Sequence, residues 1–360
     1  MEENTEEIYL GEQEITRNLN AIRNSKKVQD FITSIKSKAE NYGTSVKFKS
    51  RIKQNESAIN KYKKYIEKYG KADTEMWDSC GMMVIVDDIE EIYQFVRFFD
   101  ETLDTREDGI LDYVKNPKAG YRSVHMYSTF EVDGITVPSE IQIKTESMSI
   151  AQDTIHDSIY KLKSMPYEKR DELSEALFPI FERLQDAEKM QEKGYVEQAA
   201  QLQNEVEKHR KNNEILLKDN QQIVDDVFKE YGKVVFWHHN IDEIEGDLFW
   251  KNPDITQEQK EEFYNKINDS LNEMFNFYQE NITINNSVTT ISGNKGIDYA
   301  IQKLSKMNYS DFKKEKTIVE KNNKSEHEKK AKKLEDSMEK SQRLSEKINE
   351  LEKQNTIDKE

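Results

Sequence analysis

The amino-acid sequence predicts an α+β protein in which a mixed β-sheet flanked by helices is followed by a long helical or coiled-coil C-terminal extension. Between residues 46 and 165, short β-branched runs such as 82–86 and 123–132 alternate with helical patterns. Asp133 and Gly134 lie between two alternating runs, which is a strong signal for a β-hairpin. Beyond this region the apolar residues recur at intervals of three and four, which is typical of helices.

Spacing and composition divide the chain into five predicted segments. Apolar residues have helical spacing near the N-terminus, and in the third segment they form a coiled-coil seam that three polar positions interrupt. The last fifty residues hold 27 charged side chains, which predicts a solvated helix or disorder. The segments are an N-terminal helical segment (1–45), a mixed α/β domain (46–165), a helical hairpin or coiled coil (166–235), a small helical unit rich in aromatic residues (236–284), and a linker with a charged helical or disordered tail (285–360).

The composition limits the functions that the chain can have. Of its 360 residues, 35% are hydrophobic and 34% are charged, so much of the length must be solvated helix rather than core. The net charge of −16 makes the chain a poor general binder of nucleic acid, and the single cysteine excludes a disulfide framework. The sequence begins without the apolar run of a signal peptide, and no run of about 18 apolar residues could span a membrane. We therefore expect a cytoplasmic protein that does not enter a membrane.

A basic strand is the first candidate for ligand binding. With a period of two, four cations share one face of this strand while Phe48 and Ile52 point into a core. Ser57 and Lys61 follow, one helical turn apart. A triphosphate needs several donors at once, and this cluster would supply them, although a solvated strand face is the alternative. The four cations are Lys47, Lys49, Arg51 and Lys53.

Two carboxylates accompany predicted strands. Asp78 comes just before the run 82–86, and we expect Glu140 to open a further strand of the sheet. Alternation along that strand places Glu140, Gln142 and Lys144 on one face, away from the core. Two carboxylates on neighbouring strands can hold a magnesium ion that bridges phosphate oxygens, and one of them can take the proton from an attacking hydroxyl.

The loop before the strand at 123–132 is the third candidate. Pro117 and Gly120 predict a rigid loop that presents Tyr121 at the start of the strand. An aromatic ring at this position could stack on a nucleobase. A tyrosine that simply packs into the core is the alternative.

Five motifs, in this order along the chain, resemble those of the RelA/SpoT alarmone synthetases. The resemblance covers about a third of the chain and does not reach residues 166–360. The motifs are Arg51-x-Lys53-x-x-x-Ser57-x-x-x-Lys61, Asp78-x-x-Gly81, the run DYVKNPKAGYRSVH (112–125), the run EIQIKT (140–145), and His156 followed by Tyr160 and Lys161.

The resemblance implies a nucleotidyltransferase-like sheet and a role for each matched residue. The implied ligands of the ATP phosphates are Arg51, Lys53, Ser57 and Lys61. Asp78 and Glu140 would hold Mg²⁺, and Glu140 would also be the base for the 3′-hydroxyl of the acceptor. The implied acceptor-binding residues are Tyr121, stacked on the base, and His125, Gln142 and Lys144 along the ribose and phosphates.

The sequence departs from the family pattern at three places. Met83 stands where an arginine is usual, and Gly109 and Leu111 stand where a basic pair is usual. The loop before Gly120 is one residue short, and Ala119 replaces a common asparagine. The first two changes remove expected contacts to the ATP phosphates, and the third removes a group that could select guanine.

We therefore interpret the chain as an ATP-dependent nucleotide pyrophosphotransferase of the GTP diphosphokinase type, which makes (p)ppGpp from ATP and GDP or GTP. Two alternatives stay open: a toxic relative whose acceptor is the tRNA 3′ end or an adenine nucleotide, and a degenerate synthetase that acts as a nucleotide-sensing or interaction module. The helical C-terminal region could serve as an antitoxin-like neutralising element, a partner-docking arm or a self-association seam, and the sequence does not choose among them.

Overall fold

The computed structural model of the protein describes residues 2–43, 45–70, 76–162, 164–240, 256–280, 295–304 and 310–322, with isolated positions up to residue 332. Within these residues it has the predicted α+β architecture. The strands are β1 (Lys47–Ile52), β2 (Cys80–Val86), β3 (Asp104–Asp112), β4 (Val124–Val132) and β5 (Ile135–Thr145). The helices are α1 (Glu2–Asn24), α2 (Lys26–Tyr42), α3 (Asn55–Tyr69), α4 (Ile89–Thr102), α5 (Glu146–Ile155), α6 (Tyr167–Glu192), α7 (Val196–Asn212), α8 (Glu214–Asp219), α9 (Gln221–Asn240), α10 (Gln257–Glu280), α11 (Lys295–Leu304) and α12 (310–322).

The five strands form one mixed sheet with the order β1-β2-β5-β4-β3. β2 and β5 are parallel, and the other neighbouring pairs are antiparallel. The β2–β5 pairing places Gly81 directly opposite Glu140. Two motifs that lie about sixty residues apart in the sequence therefore meet on adjacent strands.

The predicted hairpin is confirmed. Asp133 and Gly134 join β4 to β5 with φ angles of 57° and 74°, which are the left-handed values of a type I′ turn. β5 starts at Ile135, so the expectation that Glu140 opens its strand is wrong, and Glu140 lies in the strand interior. Pro138 concealed the first half of β5, because proline is disfavoured within a sheet.

One face of the sheet packs against α2 and α4. Val84 and Ile141 of the central strands are buried against Phe95 of α4 and Ile35 of α2, and Phe48 enters this core as predicted. Burying each of these side chains contributes about 1.5–3 kcal/mol. The alternation of the strands therefore sends the polar side chains of β5 to the opposite face, where the candidate site lies.

A second core joins α5 to the C-terminal helices. Ile150 of α5, Phe181 of α6 and Phe228 of α9 are buried in one cluster. This cluster continues across the predicted boundary at residue 165, and α9 runs without a break across the predicted boundary at residue 235. α6 and α7 pack against each other as a helical hairpin. The C-terminal helices are therefore packed onto the sheet-bearing region through α5.

Two of the predicted segments lie partly outside the described part of the chain. The segments are the linker and charged tail (285–360), most of which is outside, and the aromatic-rich unit (236–284), part of which is outside. Within the tail, 295–304 and 310–322 are helical, and α11 packs against α9. Across all the helices that the structure describes, none is both long enough and apolar enough to cross a membrane.

Candidate active site

Glu140 is the centre of a hydrogen-bonded group on the polar face of the sheet. Its Oε1 accepts a hydrogen bond from the Tyr127 hydroxyl at 2.8 Å and lies 3.4 Å from His125 Nδ1. Its Oε2 accepts a hydrogen bond from Gln142 Nε2 at 3.1 Å. Burial alone would raise the pKa of Glu140, but these contacts outweigh burial and lower the pKa to about 2. Glu140 is therefore fully ionised at neutral pH.

Lys144 closes this group on the side of α5. It is buried, and its Nζ donates to Gln142 Oε1 at 2.9 Å and to Gln152 of α5. Burial lowers the pKa of Lys144 to about 8. Lys144 therefore orients Gln142, which in turn donates to Glu140, so the three predicted residues of this strand form one connected chain.

Asp78 lies just before β2 and is held by two lysines. Its Oδ2 is 2.9 Å from Lys61 Nζ and also pairs with Lys53. Burial would raise the pKa of Asp78, but the two lysines lower it. Its Oδ1 is buried and has no hydrogen-bond partner among the described residues. A buried carboxylate oxygen without a donor is a costly arrangement that a bound cation would relieve.

Tyr127 is a site residue that the sequence interpretation missed. Burial raises the pKa of its hydroxyl, and the negative charges of Glu140 and Asp78 raise it further. Both predicted metal-binding carboxylates therefore lie close enough to act on one hydroxyl group. The signal was present in the sequence, because Tyr127 follows His125 by two residues on an alternating strand and so shares its face.

The described residues fit a magnesium site that is completed by a ligand. No group of three or more His, Cys, Asp or Glu side chains in the described ranges could hold a metal ion without other ligands. Magnesium is commonly held by one or two carboxylates together with substrate phosphates. The partnerless oxygen of Asp78 and the ionised Glu140 meet that requirement.

The predicted phosphate-binding cations are arranged unevenly. Arg51 is exposed and lies beside Gly81, where a Cβ would come within 3.5 Å of its side chain. Ser57 is exposed on the first turns of α3. Lys47 forms an ion pair with Glu146 instead, with its Nζ 2.7 Å from Glu146 Oε1. Because Lys53 and Lys61 both form ion pairs with Asp78, the structure brings them together with Arg51 at the same end of β1.

Residues 113–122, which we call the acceptor loop because the resemblance implies that they contact the acceptor, end in a tight turn. Tyr121 N donates to Lys118 O at 3.0 Å, and Lys118 N donates to Tyr121 O at 3.3 Å. Ala119 and Gly120 have φ angles of 48° and 80°, so both occupy the left-handed region. Asparagine tolerates this region better than alanine. The backbone conformation of this turn therefore explains why asparagine is usual at position 119, independent of any contact to guanine.

Tyr121 is enclosed rather than freely presented. Its hydroxyl lies 2.7 Å from His125 Nε2, and its ring centroid lies 5.8 Å from that of Tyr113 and 6.2 Å from that of Phe178 in α6. Burial raises the pKa of its hydroxyl. Lys144 Nζ is 5.9 Å from the centre of the ring. Tyr121 therefore lies between the sheet, where it meets His125 of β4, and α6, where it meets Phe178. Tyr113 is a second aromatic residue of this cluster that the sequence interpretation missed.

The structure gives a steric reason for one of the departures from the family pattern, the glycine at position 109. A Cβ at Gly109 would lie 2.5 Å from the Tyr127 carbonyl oxygen, so no side chain fits where β3 bulges towards β4. Arg106, in the same bulge, places its guanidinium 5.0 Å from the centre of the Trp77 ring, next to Asp78. Met83 lies between β1 and β5 with its sulfur 4.0 Å from Ser149 Oγ.

The last motif lies where α5 ends. His156 to Tyr160 form a single π-helical turn, and the Tyr160 carbonyl accepts a hydrogen bond from Arg170 of α6 at 3.1 Å. The Tyr160 ring packs against the C-terminal core. This motif therefore connects the sheet-bearing region to α6.

The five-stranded sheet, the carboxylates Glu140 and Asp78, and the cations at the end of β1 together define an α+β domain with a candidate nucleotide-transfer site. Comparison with known proteins assigns part of the chain to a family. Residues 50–165 match the model of the region found in RelA/SpoT proteins. The chain therefore carries a RelA/SpoT region, as the five motifs predicted.

The chain is also similar to individual proteins of known name or structure. The chain is 35% identical over 136 residues to GTP pyrophosphokinase YwaC of Bacillus subtilis (strain 168), a match that covers 36% of this chain and 65% of that protein, just under two thirds of its length. Among solved structures, small alarmone synthetase 2 of Bacillus subtilis is 30% identical, with 46% of this chain and 89% of that chain covered and a TM-score of 0.35. A GTP pyrophosphokinase family protein of Streptococcus pneumoniae is 24% identical, with 48% and 90% covered and a TM-score of 0.36.

Proposed function

We propose that this chain transfers pyrophosphate from ATP to the 3′-hydroxyl of GDP or GTP. The observation that carries the proposal is the ionised Glu140, held by three side chains on the same polar sheet face that Asp78 and its two lysines border. This arrangement lies within the RelA/SpoT region, and the chain is similar to GTP pyrophosphokinase YwaC of Bacillus subtilis.

On the ATP side, Lys53 and Lys61 exchange partners. In the described structure both neutralise Asp78, and ATP phosphates would offer them a second, more highly charged partner. Asp78 and Glu140 would be the residues that hold Mg²⁺, and the ion would supply positive charge to neutralise the phosphates. Arg51 and Ser57, exposed at the same end of the sheet, complete the phosphate contacts.

On the acceptor side, the 3′-oxygen attacks the β-phosphorus of ATP, the bond from that phosphorus to the α–β bridging oxygen breaks, and AMP leaves. The proton of the hydroxyl passes to Glu140 Oε. With a pKa of about 2 in the free protein, Glu140 is a weak base, so its larger contribution is to bind and orient the hydroxyl and the cation. Tyr127, His125 and Gln142 hold the carboxylate in place, and Lys144 orients Gln142. Tyr121 and Tyr113 offer aromatic surface to the acceptor base.

The acceptor is tested directly with labelled ATP. The purified chain is incubated with Mg²⁺ and ATP labelled in the γ-phosphate, with GDP, GTP, excess unlabelled ATP or tRNA offered in separate reactions. We expect label to enter GDP or GTP. Label that enters only tRNA or adenine nucleotides would replace the proposed acceptor by the toxic-relative alternative. The absence of transfer to every acceptor would favour the nucleotide-sensing module.

A further inference from the structure

One face of α6 is pressed against the acceptor loop. A Cβ at Gly120 would lie 2.8 Å from Phe178 Cβ and 3.0 Å from the Ser174 carbonyl oxygen, so the turn approaches the helix as closely as its backbone allows. The ring of the next residue, Tyr121, meets Phe178 edge-on. The helical spacing of four carries this face onward from Phe178 to Glu182.

Glu182 continues the same contact with a charge. Its Oε2 lies 2.8 Å from Arg122 Nη1, and its side chain is only 8% exposed while that of Arg122 is 29% exposed. Its Oε1 is buried without a hydrogen-bond partner in the described part of the chain. Burial outweighs the attraction of Arg122 and raises the pKa of Glu182 to about 7. A buried ion pair with one oxygen unsatisfied adds little net stability, so stability alone does not account for it.

Arg122 is placed where such a contact would matter. It adjoins Tyr121, whose hydroxyl reaches His125, and His125 in turn lies 3.4 Å from Glu140. A shift of Arg122 would therefore be passed to Tyr121 and, through its hydroxyl, to the histidine beside Glu140. The contact crosses 60 residues of sequence and comes from the part of the chain beyond the RelA/SpoT match.

We propose that Glu182 is a positioning residue that sets the affinity of the site for the acceptor nucleotide, because it anchors Arg122 and with it the turn that carries Tyr121. This inference rests on the proposed function, in which the acceptor binds at that loop. In this proposal α6 positions the acceptor subsite, and the ATP subsite around Asp78 does not depend on Glu182.

The test compares Glu182→Gln with a matched control, Glu205→Gln, on α7, the helix that packs against α6. Glu205→Gln breaks a surface ion pair with Arg183, in which the Arg183 side chain is 35% exposed and the Glu205 side chain is 45% exposed. Binding of GDP and of a non-hydrolysable ATP analogue is measured by titration calorimetry on the full chain at pH 8, where Glu182 is ionised. We expect Glu182→Gln to weaken GDP binding about tenfold, about 1.4 kcal/mol, and to change binding of the ATP analogue by less than about twofold. Glu205→Gln should change neither.

A second measurement separates positioning from folding. Amide hydrogen exchange in residues 113–122 should accelerate in Glu182→Gln and stay unchanged in Glu205→Gln, with exchange in β2 unaltered in both. In the background Arg122→Gln, adding Glu182→Gln should weaken GDP binding by less than a further twofold, since the two residues act through one contact. If Glu182→Gln does not fold, Glu182→Asp, which keeps the charge but shortens its reach, takes its place with the same expected directions.

The outcomes are distinct. Unchanged GDP binding, or equal loss of GDP and ATP-analogue binding, overturns the inference. If the wild-type chain binds no GDP at all, the proposed acceptor is wrong, and the exchange data alone decide: unchanged exchange in residues 113–122 overturns the positioning role, whereas selective acceleration supports it.

Discussion

Replacing Glu140 by glutamine should remove a pH-dependent contribution to the stability of the fold. The pKa of Glu140 is lowered to about 2 in the folded chain from an ordinary value of 4.5. A carboxyl group with a depressed folded-state pKa stabilises the protein above pH 4.5, and the contribution is lost as the pH falls towards 2. At about 1.4 kcal/mol for each pKa unit, the difference between the two values corresponds to about 3 kcal/mol. Glutamine keeps the size of the side chain and cannot make this contribution.

The assay is urea denaturation of the wild type and the variant at several pH values between 7 and 2.5. We expect the difference in unfolding free energy to stay constant from pH 7 to about 5 and to shrink by up to about 1.4 kcal/mol for each further pH unit. Glu131→Gln, an exposed carboxylate in the same hairpin, serves as the control and should show no such trend. A difference that stays constant down to pH 2.5 would refute the claim that Tyr127, His125 and Gln142 stabilise an ionised Glu140.

Three further predictions concern the site and its loop. Lys53→Ala should raise the KM for ATP about tenfold, because one charge-assisted phosphate contact is worth roughly 1.5–3 kcal/mol; steady-state kinetics check this, and a change below twofold would favour a merely solvated strand face. Ala119→Asn should stabilise the chain by about 0.5–1 kcal/mol in thermal unfolding, because Ala119 has a φ of 48°, and a lower Tm would contradict the turn. Gly120→Ala should destabilise by about 2 kcal/mol more than Gly134→Ala, since both have a positive φ but only Gly120 has Phe178 within reach of a Cβ; equal losses would mean that the loop does not contact α6.

Local patterns in the sequence were sufficient to predict the β4–β5 hairpin and the polar face of β5. The left-handed pair Asp133 and Gly134 marked the hairpin, and strand alternation separated the core residues from Glu140, Gln142 and Lys144. These features depend on neighbouring residues and on a period of two, so they are legible without knowledge of the tertiary fold.

The remaining features depend on contacts between distant segments. No local pattern shows that Lys53 and Lys61 meet at Asp78, or that Glu182 reaches Arg122 across 60 residues. The position of Glu140 within β5 was misjudged because Pro138 interrupts the apparent strand pattern. The extent of the C-terminal core was likewise hidden, since the helices beyond residue 165 bury their apolar faces against α5 rather than only against one another.

The central claim, that Glu140 and Asp78 serve pyrophosphate transfer, is tested most directly by the stoichiometry of the adenine product. The wild-type chain is incubated with ATP, Mg²⁺ and GDP, and AMP, ADP and the modified guanosine nucleotide are quantified together, with Glu140→Gln as the inactive reference. Attack at the β-phosphorus predicts one AMP for each GDP consumed and a product heavier than GDP by two phosphoryl groups. Neither AMP nor this product should form with Glu140→Gln. Release of ADP in place of AMP, or a Glu140→Gln variant that retains more than about a tenth of the wild-type rate, would contradict the account.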